Sequence, residues 1–142
     1  MVFTSVVLPA DGRPGTGEVE QRPVVLVVDD EPMIRKVVTW VLRRSGYEVM
    51  TAPDGKAGLE TFQSRDDIAL VLSDVVMPRL DGVGMVRELR QHRPDIPVLF
   101  MSGYAGHQLP ALDDDDLHRL LDKPFTPTQL IERIEQILSA AG

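Results

Sequence analysis

Cysteine is absent from this sequence of 142 residues. That excludes a disulfide framework and any thiolate metal site, and it leaves stability to packing alone. Long hydrophobic runs are missing too: no stretch approaches the roughly 18 apolar residues a membrane span requires. Positive charge is scarce, with 15 Lys and Arg against 22 Asp and Glu and a formal charge of −7. Such a surface repels nucleic acid and anionic membranes, so neither direct DNA binding nor membrane attachment is expected. A signal is lacking as well. The start, MVFTSVVLPADGRPGTG, has a short apolar patch but no basic n-region and no long apolar core, so it reads as a tail. These absences together fit a cytoplasmic location.

Apolar residues make up 43% of the chain, enough for a folded core. Residues 1–22 are rich in Gly, Pro and polar side chains without periodicity, and read as a flexible N-terminal extension. The folded domain spans 23–142. Val24 to Val28 is a continuous apolar run, too short for a helix and apolar on both faces. Pro32 suits the first turn of a helix, Ile34, Val37, Val38, Val41 and Leu42 give it one apolar stripe, and Gly46 stops it. Tyr47 to Thr51 reads as a strand, and Asp54 to Ser64 as a helix with Ala57, Leu59 and Phe62 inward. Ile68 to Leu72 is a second two-faced strand, ending at Ser73 and Asp74. Gly82 to Gln91 follows as a helix with Val83, Val86 and Leu89 inward, then Ile96 to Met101 as a buried strand. Past a poorly specified segment, 103–117, come a short strand near Leu120 and Leu121 and a helix from Pro127 to Ala140. Leu130, Ile134, Ile137 and Leu138 share one face of that helix.

Buried strands alternating with amphipathic helices predict an α/β fold, a single doubly wound five-stranded parallel sheet with five helices. Ligands in such folds bind beyond the carboxyl ends of the strands. Polar residues gather at those ends. The first strand runs into Asp29, Asp30 and Glu31, the third into Asp74, the fourth into Ser102 and the fifth into Lys123 and Pro124. Any one of these has a plain structural explanation, since an Asp after a strand is commonly a helix cap and a Lys-Pro a turn. Four strands ending in complementary polar residues is a different matter. Three carboxylates cannot stay ionised in one small site without a balancing cation. Oxygen ligands with no His or Cys among them favour a hard ion, Mg2+ ahead of manganese or calcium.

The segments VVLVVDDEP, LVLSDVVMPRLDG, VLFMSGYA and LLDKPF, in this order, resemble the receiver domain of two-component response regulators. The resemblance extends over about residues 23 to 140 and implies a flavodoxin-like receiver fold. It makes Asp74 the phosphoacceptor, with Asp30 and Asp74 as carboxylate ligands of Mg2+, Asp29 acting through a bound water and Val76 offering its backbone carbonyl. Ser102 would donate to one phosphoryl oxygen and Lys123 would pair with another, and the Lys123–Pro124 bond is expected to be cis. Transfer from a phosphohistidine passes through a loose transition state, and the chemistry asks for this set: a carboxylate nucleophile, a metal, a cation and a hydroxyl donor. His92, His107 and His118 lie away from the strand ends, so the phosphodonor is expected to be a sensor histidine kinase or phosphotransfer protein. With no effector pattern after the last helix, output is expected through a downstream protein target. Both a single-domain regulator and the receiver module of a hybrid histidine kinase fit. No enzyme acting on an external substrate is expected, because the Asp nucleophile of the rival phosphohydrolases ends the first strand. A receiver-like scaffold that is never phosphorylated is the remaining alternative.

The sequence departs from the receiver pattern in three places. Leu120 stands where an inward-turning aromatic is usual, with Tyr104 as a candidate substitute. Val76 and Tyr104 flank the expected acyl phosphate without a polar group to orient water, which implies slow self-dephosphorylation. Pro110 falls inside the expected helix between the fourth and fifth strands, where proline costs about 3 kcal/mol. That helix is therefore expected to be short or irregular and mobile before phosphorylation. Hydrogen exchange checks this: amides at 105–116 should exchange much faster than those of the core helices, and equal protection would contradict it.

Overall fold

Why the strands form follows from their side chains: runs of Val, Leu and Ile suit a pleated surface buried on both faces. The computed structural model of the chain describes residues 22–77, 79–103 and 120–141. It contains β1 (Val24–Val28), α1 (Pro32–Arg44), β2 (Glu48–Ala52), α2 (Gly55–Gln63), β3 (Ile68–Asp74), α3 (Gly82–His92), β4 (Val98–Ser102), β5 (Leu120–Asp122) and α4 (Pro127–Ala141). The strands make one five-stranded parallel sheet in the order β2-β1-β3-β4-β5. This is the expected doubly wound, flavodoxin-like arrangement. Four of the five expected helices fall among the described residues. The helix expected between β4 and β5, with Pro110 and Tyr104, lies outside them, as does the N-terminal extension before residue 22.

Alternation along each strand divides the core into two layers. Leu26 and Val28 of β1, Val71 of β3 and Phe100 of β4 point toward α2 and α3, where Phe62, Met85, Val86 and Leu89 meet them. Val25, Val27, Leu70, Leu72, Leu99 and Met101 point the other way, toward Val38, Val41 and Leu42 of α1 and Leu130, Ile134 and Ile137 of α4. Burial of each such side chain contributes about 1.5–3 kcal/mol, so the two layers hold the strand ends in place.

Three of the four described helices start on a side-chain cap. Asp54 and Asp81 cap α2 and α3, accepting 2.8 Å hydrogen bonds from the N–H groups of Ala57 and Gly84. Before α4, Thr126 and Gln129 form a reciprocal capping box. Gly46 adopts φ +98° just past α1, a conformation that glycine takes without strain.

Several expectations need correction. Val37 is not part of the inward stripe of α1; it is 53% exposed and shares a second, outward face with Met33 and Trp40 at four- and three-residue spacing. Glu31, the last of the three acids after β1, is the N-cap residue of α1, and its side chain makes no capping bond. β4 begins at Val98, two residues later than expected. Pro97 has no N–H to offer a ladder, although its carbonyl accepts from the N–H of Val71. Met85, fully buried in the core layer against α2, was missed as an inward residue of α3.

Glycine at 82 is imposed by close approach to the end of β3. A Cβ there would lie 2.1 Å from the Asp74 carbonyl oxygen and 3.0 Å from Ser73 Oγ. Gly82→Ala should therefore destabilise the fold by about 2 kcal/mol or more. Urea unfolding should read this as a lower midpoint with an unchanged m value, and an unaltered midpoint would contradict it.

Candidate functional site

Parallel order brings the polar strand ends together. β1 pairs with β3, with Val28 opposite Ser73, so Asp29 and Asp30 emerge beside Asp74. β3 pairs with β4, and β4 with β5, where Ser102 lies opposite Asp122. The N–H of Lys123 donates to the carbonyl of Ser102 at 2.7 Å, which fixes the backbone from which the lysine side chain leaves. The Lys123–Pro124 bond is cis, as expected.

One carboxylate oxygen from each of Asp29, Asp30 and Asp74 lies within 4.8 Å of the others. Asp29 is fully buried and Asp74 nearly so, while Asp30 is exposed. Lys123 Nζ donates to Asp29 Oδ2 at 3.0 Å and to Asp74 Oδ2 at 3.3 Å, with Glu31 Oε1 at 3.9 Å. The cluster opens into a cavity of about 720 Å3 lined by Asp30, Glu31, Asp74, Val76, Met77, Gly103 and Lys123. That space is ample for a phosphoryl group and a hydrated cation together.

Burial pushes the Asp74 carboxyl above its ordinary range, and Asp29 adds to this by repulsion. The attraction of Lys123 and hydrogen bonds from Lys123 and the Val76 backbone pull the other way without cancelling it. Burial by itself would lower the Lys123 ammonium, but its bonds to Asp29 and its attraction to both carboxylates leave it raised. The lysine is thus held charged, and the Asp74 carboxylate is held in a state that more positive charge would relieve. Oxygen donors, one open flank and a net excess of acid fit a hard divalent cation. Asp30, Asp74 and the backbone near Val76 are placed to hold it.

The residues read from the sequence, Asp29, Asp30, Asp74, Val76, Ser102 and Lys123, all lie at this one edge of the sheet. Ser102 is buried at the end of β4. Val76 is half exposed at the mouth of the cavity. Glu31, expected among the polar strand ends but given no role, N-caps α1 through its backbone while its side chain lines the cavity. Arg35 donates from Nη1 to the backbone carbonyl of Asp29 at 2.7 Å. Spacing gives no sign of Arg35's part, because it depends on a bond to main chain.

A doubly wound α/β domain with an acidic, lysine-braced pocket beyond its strand ends is the architecture of a receiver. The model of the response regulator receiver domain matches residues 25–135, and the chain belongs to that family. It is 41% identical over 118 residues to a probable transcriptional regulator ycf27 of Cyanophora paradoxa, a match covering 80% of this chain and 47% of that one. It is 39% identical over 119 residues to the sensor kinase CckA of Brucella abortus (strain 2308), covering 80% of this chain and 12% of the kinase. The response regulator receiver protein CpdR of the same organism is 31% identical over 118 residues, with 82% of this chain and 98% of CpdR covered. The chain thus spans about half the length of the ycf27 relative and a small part of the kinase. Among solved structures, a receiver domain protein of Clostridium thermocellum superposes with TM-score 0.72 at 27% identity, covering 83% of this chain and 95% of that one. NtrX of Brucella abortus superposes with TM-score 0.75 at 30% identity, covering 85% of this chain and 28% of NtrX. The protein is therefore a receiver domain of two-component signalling. Among the described residues no helix is long and apolar enough to cross a membrane.

The raised Asp74 carboxyl has a consequence for pH. The folded state holds its proton to a higher pH than the unfolded chain, whose value is near 3.8. The stabilising contribution is complete below that value and is lost as pH rises through the folded pKa. Asp74→Asn, which cannot ionise, should gain stability over the wild type as pH goes from 3 to 7 in metal-free buffer. Thermal unfolding across that range measures it, and a variant no more stable at pH 7 would refute the assignment.

Proposed function

We propose that the protein is a phosphorylation-dependent signalling switch that accepts a phosphoryl group on Asp74 with Mg2+ bound. The donor is the phosphohistidine of a sensor histidine kinase or phosphotransfer protein. The observation that carries this reading is the convergence of Asp29, Asp30 and Asp74 within 4.8 Å, braced by Lys123 and open to solvent on one side. A carboxylate oxygen of Asp74 attacks phosphorus, the P–N bond to the donor histidine breaks, and an acyl phosphate forms. Lys123 then trades its contact with Asp74 for one with a phosphoryl oxygen, and the Ser102 hydroxyl donates to another. When bound, the ion supplies positive charge to the equatorial oxygens as the phosphoryl group moves.

The chemistry is confined to this chain's own carboxylate, so the protein works on no external substrate. Output passes to a downstream protein in the cytoplasm. Exposed Met33, Val37 and Trp40 on α1, 68%, 53% and 61% accessible, support a protein partner, since large apolar side chains rarely gather on a free surface. Relatives of both kinds, a matched single receiver protein and longer regulators and kinases, leave a place for it as a single-domain regulator or as a module of a larger chain.

Incubation with a small phosphodonor and Mg2+, followed by mass spectrometry, tests the switch. One phosphoryl group should be gained by the wild type and none by Asp74→Ala; no gain in the wild type would favour an unphosphorylated scaffold. With Val76 half exposed and apolar beside the acyl phosphate, the label should decay slowly, and Val76→Asn should shorten its lifetime severalfold.

A further inference from the structure

Asp29 is held by four separate parts of the fold. Its N–H donates to the carbonyl of Ala52 at the end of β2 at 3.2 Å. Oδ1 accepts from the Glu31 N–H at 2.9 Å and Oδ2 from Lys123 at 3.0 Å. Its carbonyl accepts the charged donor of Arg35, at 2.7 Å, from the second turn of α1. The last bond is the only one of the four that acts on the peptide joining Asp29 to Asp30. A peptide group is planar, so a carbonyl clamped at its oxygen fixes the orientation of the whole unit, including the N–H and Cα of Asp30. Asp30 is the exposed member of the carboxylate cluster, and among the described residues no hydrogen bond holds its side chain. Its direction has to come through the backbone.

We infer that Arg35 is a positioning residue for the cation site: by clamping the Asp29 carbonyl it aims the Asp30 carboxylate at the place shared with Asp74. The inference rests on the Mg2+ reading above. Arg35 does not line the acidic cavity; it lies along the cleft between α1 and the edge strand β2 with Lys36, Thr39, Val49 and Thr51. Outer contacts of this kind typically change metal affinity by about 10–100-fold when removed.

Three roles for Arg35 give different signs. As a mere positive charge near three carboxylates it would weaken Mg2+ binding, so removing it would tighten binding. As a staple between α1 and the sheet it would affect stability and leave the affinity of folded protein unchanged. As a positioning residue it strengthens binding against its own charge. The experiment is a Mg2+ titration of the full chain at fixed ionic strength, followed by amide NMR shifts at 29–31 and 75–77, for wild type, Arg35→Gln and Arg35→Lys. Folded Arg35→Gln should bind about tenfold more weakly. Arg35→Lys keeps the charge but has a shorter reach and no fork of donors, and should fall between the two. Affinity in Arg35→Gln equal to or tighter than wild type overturns the inference. Should Arg35→Gln fail to fold, Arg35→Lys decides, and wild-type affinity there overturns it. If the wild type itself shows no Mg2+-dependent shifts, the metal reading falls first and the positioning role falls with it.

Discussion

Lys123 and the carboxylates of Asp29 and Asp74 are the contact on which the rest of this structure turns. Two acidic groups with almost no water around them would repel each other strongly without a nearby cation. The ammonium of Lys123 bridges them at 3.0 and 3.3 Å. One positive charge facing Asp29, Asp30, Asp74 and the more distant Glu31 leaves an excess of negative charge. The site is accordingly stable enough to fold around and still short of positive charge. A divalent ion and a phosphoryl group acting together meet that shortage, which is why binding and chemistry belong to one place.

Backbone pairing and the core beneath it bring those groups together. The parallel sheet sets the order in which strands end, and two apolar layers keep the strands from sliding. Close approach at Gly82 lets α3 start against the Asp74 carbonyl. The N–H of Lys123 is tied to the carbonyl of Ser102, so the hydroxyl and the ammonium move as neighbours. Arg35 extends the same logic to main chain, acting on the peptide that carries Asp30. Side chains do the chemistry here, but their aim is set by main-chain hydrogen bonds.

Much of this was legible in the chain itself. Val24 to Val28 and Ile68 to Leu72 are too short and too uniformly apolar for anything but buried strands, and the carboxylates follow them directly. What failed did so for physical reasons. Val37 has the right chemistry for the inward stripe of α1, but only the rotation of the helix against the sheet decides which apolar residues face in. Met85 shares the helical spacing of Val86 and Leu89 along α3, so the period itself marks it as inward, and Gly58 on the neighbouring helix makes the room it fills.

The sequence by itself determined the fold class, the order of its elements and which polar residues end the strands, because hydrophobic periodicity and turn chemistry are local properties. Only the tertiary structure decided how those ends combine. Lys123 stands 94 residues from Asp29 in the chain, yet the two form the shortest of the ammonium's ion pairs among the described residues. Whether it braces one carboxylate or two depends on strand order and on the position of the loop after β5. The same holds for Glu31, turned to the cavity, and for Arg35, bonded to a carbonyl. Distances and main-chain partners come into being when separate segments pack, and no single segment carries them.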